Sequence, residues 1–230
     1  GEEQNRPQRY DTLKYLLNLH YDLAYGESAY SNEGIGYIHY GVPFAYAANY
    51  AALSVEDSGL VSCFEGKSFD KLLMYTCAYT EDKKHLMTSV DSHYSFGEGL
   101  FGLVMGNLDS TSLKYYKNFY DHHLGISSNV NDNEKYDQQR LGAIWNFLYY
   151  PIHFEDENPT ENYAYTLSDQ EYGNYFIRSR WKNENDILFN AMGKYKYHRK
   201  GWQDAETFNI GLVAFGNQFF GGPGKGAKAP

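Results

Sequence analysis

The sequence predicts an α+β fold in which helices come first along the chain and strands come later. Through residue 149, apolar residues recur at the three- and four-residue intervals that are typical of helices. After the acidic stretch 153–162, short runs rich in β-branched and aromatic residues replace that pattern. Because the two patterns do not alternate, they favour separate α and β regions over an alternating sheet. We therefore divide the chain into a helical region, residues 1–155, and a strand region, residues 156–230.

Each predicted element has a local signal of its own. In residues 11–25, leucines and His20 recur along one helical face, and Asp11 is the expected N-cap. Further helices are predicted over 37–54, 69–79, the second half of 91–106, 111–122 and 138–149, the last stopped by Pro151. Strands are predicted over 175–180, 186–191 and 207–215, followed by a turn at Gly216-Asn217 and a strand starting at Phe219.

The composition bounds the classes of function. The net charge of −9 gives no general electrostatic attraction to nucleic acid or to an anionic membrane. No apolar run approaches the ~18 residues that a membrane helix needs. Aromatic residues make up 18% of the chain, and sugar rings stack on such side chains, although core packing uses them equally. Composition therefore gives carbohydrate binding modest support.

Several common chemical sites have no counterpart in the sequence. There is no phosphate loop, dinucleotide glycine motif, nucleophile elbow or Cys-x-x-Cys pair. His122 and His123 are adjacent, so on a helix they point about 100° apart, which suits one metal ion poorly. Cys63 and Cys77 allow one disulfide, and two buried thiols are an equally good interpretation. We predict no metal and no cofactor.

The stretch Ser31–Tyr50, SNEGIGYIHYGVPFAYAANY, is the first candidate for a site. A tyrosine beside flexible glycines at a helix entrance, such as Tyr37, can direct its hydroxyl into a cleft, and Tyr40 shares its helical face. The alternative is that Tyr37 simply packs, since the chain has 24 tyrosines. Glu33 and Asp91 also form a candidate carboxylate pair for a glycosidase if their loops converge.

The run from Lys194 to Lys200 is the clearest positive patch in this acidic chain. Basic groups interleaved with aromatic rings suit a carboxylated or sulfated sugar. Lysines also protect the edge of a solvated hairpin, so both interpretations stay open.

Three segments have an order and spacing that resemble one known family. They are Glu33 to Gly41, Asn174 to Trp181, and Asp204 to Phe208 followed by Val213 to Phe219. The first, EGIGYIHYG, resembles the Glu-Gly-x-x-Tyr-x-x-Tyr segment of heparinase II/III-like polysaccharide lyases. The second, NYFIRSRW, is similar to the strand that opens their β-sandwich, and the third to the following Asp-x-Gly-Ser-Phe strand and its turn. The resemblance spans about residues 30–222.

This resemblance implies a partial (α/α) toroid-type region followed by a short antiparallel β-sandwich portion. It also implies β-elimination on a uronic-acid polysaccharide such as heparan sulfate, alginate or chondroitin. A neutralising residue acidifies the C5 proton, a base removes it, and a general acid serves the leaving oxygen. By resemblance, Tyr37 is the catalytic tyrosine, and His198 is the second predicted catalytic residue. The predicted substrate-binding residues are Glu33, His39, Tyr40, Arg178, Lys196, Arg199 and Trp202.

The sequence departs from that family at three places. The neutralising Asn or His lies well upstream of the tyrosine in the family, but only 36 residues precede Tyr37 here. The usual His-x-His-x-Asp run reads Lys200-Gly201-Trp202-Gln203-Asp204, so only the Asp remains and His198 is the stand-in. The usual metal-ligand Asp falls near Gly222, which is why no zinc is predicted.

These departures leave alternatives open. The chain is interpreted as a fragment, one chain of a processed pair that another chain completes, or a divergent descendant. The resemblance implies an acidic polysaccharide or oligosaccharide as partner, no nucleic acid or membrane, and a periplasmic or extracellular location. A non-catalytic carbohydrate-binding or assembly protein that keeps the lyase fold is the main alternative function, and the glycosidase is the second.

Overall fold

The computed structural model describes residues 6–29, 38, 42–43, 46–47, 50–51, 54, 65–77, 98–123, 143–159, 163–192 and 209–220. Within these ranges, five helices precede a five-stranded antiparallel sheet. This confirms the predicted α+β class and the order of helices before strands. No helix in these ranges is both long enough and apolar enough to cross a membrane.

The helices lie close to their predicted positions. Described positions between 38 and 51 are also helical, inside the predicted helix 37–54. The helices are α1 (Arg6–Ala24), α2 (Phe69–Thr76), α3 (Glu98–Met105), α4 (Ser110–His123) and α5 (Ala143–Tyr149).

The predicted start of α1 at Asp11 is wrong, because the helix begins at Arg6. Pro7 falls in the first turn, where a backbone N–H has no acceptor within the helix, so proline is tolerated there. Asp11 instead lies inside the helix and forms an ion pair with Lys14, with 3.3 Å between Oδ1 and Nζ. The end of α5 at Tyr149, just before Pro151, agrees with the prediction.

Two glycines let α3 and α5 approach each other closely. A Cβ atom on Gly102 would lie 2.5 Å from the backbone nitrogen of Asn146, and one on Gly106 would lie 2.7 Å from the ring of Tyr149. Such distances are shorter than any ordinary contact, so the packing of these helices requires glycine at both positions. The apolar residues of α3 between Leu100 and Met105 are almost fully buried against this contact and the core.

The strands form a meander in which each pairs with its neighbour in sequence. The first strand, which the sequence did not predict, pairs with the second so that Asp169 lies opposite Asn174. The strands are β1 (Thr166–Asp169), β2 (Asn174–Arg178), β3 (Ile187–Met192), β4 (Asn209–Ala214) and β5 (Asn217–Phe220).

The turn between β4 and β5 is displaced by one residue from its predicted position. Ala214 pairs with Asn217, which leaves Phe215 and Gly216 as the two loop residues. Both have positive φ, 52° and 68°, as in the two-residue turns that match the twist of a hairpin. The prediction at Gly216-Asn217 was wrong because a phenylalanine seldom adopts this backbone conformation.

One face of the sheet, the inner face, packs against the helices. Phe176 and Trp181 belong to the same buried cluster as Leu72 of α2 and Phe119 of α4. The helical and strand regions therefore share a hydrophobic core. The division of the chain near residue 155 stays a prediction, as does the toroid arrangement of the helices.

Candidate functional site

Most predicted site residues lie outside the residues that the structure describes. Arg178 is the exception, because it lies in β2. The predictions for the others stay predictions, and so does the pairing of Glu33 with Asp91. The residues outside the described ranges are Glu33, Tyr37, His39, Tyr40, Asp91, Lys196, His198, Arg199 and Trp202.

The helical positions that follow Tyr37 in sequence are anchored in the core. Ile38, Val42 and Tyr46 recur every four residues, and each is at most 5% exposed. The hydroxyl of Tyr46 lies 3.4 Å from that of Tyr149 in α5. This spacing forms one buried stripe along a helix, so the segment is held against α5 by its apolar face.

Arg178 is fully buried, and its guanidinium contacts the end of helix α2. Nη1 donates to the carbonyl oxygens of Met74 at 2.7 Å and of Cys77 at 2.9 Å, and Nε donates to the carbonyl of Arg180 at 2.9 Å. Carbonyl oxygens at a helix C-terminus lack N–H donors within the helix and carry partial negative charge. The cation of Arg178 therefore stabilises the C-terminus of α2 and joins it to the sheet.

Asp186 supplies the buried negative charge beside this guanidinium. Its Oδ2 lies 3.4 Å from Nη2 of Arg178, and its Oδ1 lies 3.1 Å from Nε of Arg180. The backbone N–H groups of Lys182 and Asn183 also donate to the same carboxylate. The two arginines and the two amides together offset the cost of burying the carboxylate, which is only 2% exposed.

Aromatic rings complete this helix–sheet junction. The guanidinium carbon of Arg178 lies 4.4 Å from the ring centroid of Trp181, and the ring of Tyr75 meets Trp181 edge-on at 5.0 Å. Each such contact adds cation–π or edge-to-face stabilisation. Inside this junction, Arg178 holds helix α2 and the sheet together, whereas the sequence analysis predicts that it binds an acidic sugar.

Two groups at this junction have raised pKa values. Burial raises the pKa of the Tyr75 hydroxyl to about 12, and burial likewise raises the pKa of the Cys77 thiol to about 12. The nearby charge of Arg178 opposes both shifts but is the weaker effect. Cys77 is a buried free thiol, and Cys63 lies outside the described residues. Both groups stay protonated at neutral pH, so neither acts as a nucleophile or a base there.

A second connection between helices and sheet uses a negative charge. Asp169, at the end of β1, is 1% exposed and accepts a hydrogen bond from the Ser28 hydroxyl at 2.6 Å and one from the Tyr172 backbone N–H at 2.9 Å. The Tyr172 hydroxyl donates to the carbonyl of Leu23 in α1. A Cβ on Gly26 would lie 2.2 Å from Oδ2 of Asp169, so the close approach requires glycine.

The sequence did not identify a buried group around Asp70, in the first turn of α2. Burial raises the pKa of its carboxyl. Burial also raises the pKa values of the Tyr116 and Tyr163 hydroxyls, and the negative charge of Asp70 raises both further. Asp70 is 7% exposed and Tyr116 is fully buried. Groups with perturbed pKa values cluster at functional sites, but buried structural clusters also produce them. A polar residue on the apolar face of α2 was the only available signal.

Metal chemistry has no described ligand set. Within the described ranges, no three residues of the types His, Cys, Asp and Glu lie close enough together to hold an ion. The described carboxylates that are buried, such as Asp169 and Asp186, are instead engaged by protein donors. The described buried groups therefore join helices, strands and turns to one another through hydrogen bonds and ion pairs.

Compared with family models and with curated proteins, the chain matches none of them. We therefore infer function from the residues themselves and from the resemblance of three segments.

Proposed function

We propose that this chain is a polysaccharide-lyase-type protein that cleaves a uronic-acid polysaccharide by β-elimination. In the proposed reaction, a base removes the C5 proton, the bond from C4 to the leaving oxygen breaks, and a double bond forms between C4 and C5. A general acid protonates the leaving oxygen. Tyr37 is base or acid in this scheme, with His198 as the second catalytic group.

The observation that carries the proposal is the order of three segments along one chain. The segment Asn174 to Trp181 contains β2, and Val213 to Phe219 includes the end of β4, its turn and most of β5. Both follow the helices, which is the order that the resemblance implies. The segment after Tyr37 is helical where described and packs on α5. A toroid for the helices and a sandwich for the strands are parts of this proposal.

Cations that remain candidates for the substrate carboxylate are Lys196 and Arg199. Arg178 is left out of the proposed binding set, because its guanidinium is fully buried against helix carbonyls, Asp186 and Trp181. Releasing it to bind a sugar would leave Asp186 buried with less compensation. Glu33, His39, Tyr40 and Trp202 stay in the proposed cleft.

The test measures unsaturated product by its ultraviolet absorbance, with alginate, heparan sulfate and chondroitin as substrates. Replacing Tyr37 with Phe removes the acid–base group and is expected to lower kcat/KM by about a hundredfold or more. The matched control is Tyr15→Phe, the same change at a tyrosine of α1 that is 64% exposed. Unchanged activity of the Tyr37 variant on a substrate that the native chain cleaves would contradict the assignment.

A non-catalytic carbohydrate-binding protein is the second candidate. The run at Lys200 to Asp204 favours it, because Lys200 and Trp202 stand where the family has two histidines. Binding of an acidic polysaccharide in calorimetry, without unsaturated product from any of the three substrates, would support this candidate over the lyase. New reducing ends without unsaturated sugar, abolished by Glu33→Gln, would instead indicate a glycosidase.

A further inference from the structure

The side of the sheet that points away from the helices, here called the outer sheet face, is apolar and exposed. Strand pairing aligns its side chains in rows across the sheet. Tyr175, Ile177 and Ile210 on this face are 50%, 45% and 46% exposed. No member is charged. The members of the outer sheet face are Thr166, Ser168, Tyr175, Ile177, Ile187, Phe189, Ala191, Ile210, Leu212, Ala214, Asn217 and Phe220, of which Ala214 is buried.

This face differs from the solvated face of an ordinary antiparallel sheet. Such sheets bury one apolar face and present polar residues on the other. Here the inner face of β2 carries Asn174, Phe176 and Arg178, whereas its outer face carries Tyr175 and Ile177. The exposed side is therefore at least as apolar as the buried side. A sheet with two apolar faces is typical of one that is packed on both sides.

The size of the outer sheet face suits a protein interface. One aromatic side chain has roughly 150–250 Å² of surface area. The large side chains of this face that are about half exposed together present on the order of 600 Å² of apolar surface to solvent. That is at the upper end of the largest apolar patch on a typical monomer. It also supplies most of the roughly 800 Å² that each partner contributes to a standard interface.

We propose that the outer sheet face binds the same face of a second copy of this chain. In a two-fold symmetric contact the same patch must be complementary to itself. An uncharged face meets this condition, because placing it against itself brings no like charges together. This matters in a chain with a net charge of −9, which otherwise repels its copies. The two sheets pack face to face, about 10 Å apart. This inference does not depend on the lyase function.

The test is the mass of the full 230-residue chain by sedimentation equilibrium over a wide range of concentration. A dimer is expected, and the double variant Ile177→Lys with Ile210→Lys is expected to raise its dissociation constant at least about tenfold, because buried ammonium groups lack partners. The matched control is Leu16→Lys with Leu23→Lys, at α1 residues that are 53% and 48% exposed. The control variant is expected to remain a dimer.

Three results would overturn the proposal. They are a native chain that stays monomeric, a dimer that survives the sheet variant, and a dimer that only the α1 variant dissociates. If the sheet variant fails to fold by circular dichroism, Ile177→Trp replaces it. Its emission is expected to shift to shorter wavelength as concentration rises, whereas that of Leu16→Trp is not. The absence of that shift would equally overturn the proposal.

Discussion

The helices are joined to the sheet at two junctions that use opposite charges. At one, Arg178 of β2 donates to the carbonyls of Met74 and Cys77 at the C-terminus of α2. At the other, Asp169 of β1 accepts from Ser28, in the turn that follows α1. Both charges are almost fully buried. In each case the sign of the charge is opposite to the partial charge on the backbone or hydroxyl atoms that it contacts.

The difference between the junctions lies in what would remain if the charged group were removed. Without Arg178, the carboxylate of Asp186 and two helix carbonyls would lose a donor inside the protein. Without Asp169, the groups left over are N–H and hydroxyl donors near a loop. Removing part of the compensation of a buried charge is more costly than leaving neutral donors unpaired. The cationic junction should therefore dominate stability.

The largest effect is expected from Arg178→Met, which removes the charge and keeps much of the side-chain volume. The free energy of unfolding should fall by about 3–5 kcal/mol, as when one partner of a buried ion pair is deleted. Urea denaturation measures it. Arg180→Met is the control, since Arg180 contacts the same Asp186 but is 46% exposed, and it should lose less than about 1 kcal/mol. Equal losses at both positions would contradict a special role for the buried arginine.

A smaller effect is expected from Gly26→Ala at the anionic junction. The new Cβ would overlap Oδ2 of Asp169 and the ring of Tyr172, so the free energy of unfolding should fall by about 1–3 kcal/mol. Part of that loss should disappear when Asp169 is also replaced by Ala, because the overlapping oxygen is then gone. Gly66→Ala serves as the control. It should also lower the free energy of unfolding, because the φ of Gly66 is +68°, but nothing lies near its Cβ, so this loss should not depend on Asp169. Strict additivity of Gly26→Ala and Asp169→Ala would rule out the proposed contact.

The smallest effect concerns pH and distinguishes buried from exposed acidic groups at helix N-termini. Burial raises the folded-state pKa of Asp70, so its contribution to stability falls as pH rises from about 4 through that raised value. The N–H of Ser112 is the main group that lowers the pKa of Asp109, so its contribution is lost as pH falls through the lowered value. Denaturation between acidic and neutral pH should show Asp70→Asn gaining, and Asp109→Asn losing, stability relative to the native chain as pH rises. Slopes of the same sign would contradict this assignment.

Much of the fold follows from local signals in the sequence. The leucine spacing of α1, the short apolar run of β3 and the partial alternation of β4 predict helix and strand correctly. β1 was missed because Thr166 to Asp169 has only one strongly apolar residue, and its pairing with β2 rather than its own composition makes it a strand. The displaced turn has a similar origin, since the register of β4 and β5 forces Phe215 into an unusual conformation.

The orientation of β2 shows why site prediction is harder than element prediction. Alternation correctly indicates that Phe176 and Arg178 share one face and Tyr175 and Ile177 the other. It does not say which face is buried, and apolar content alone would choose Tyr175 and Ile177. Arg178 is buried because helix carbonyls and Asp186 meet it from distant parts of the chain. The residues beside Arg178 in the sequence do not indicate those partners, so Arg178 was predicted to bind the substrate.

The thiol of Cys77 makes the cationic junction observable without any substitution. It is 1% exposed, and the carbonyl of the same residue is held by Arg178. An alkylating reagent therefore reaches it only when the end of α2 separates from the sheet. The labelling rate of this one sulfur, followed by peptide mapping, measures how often that part of the native protein opens.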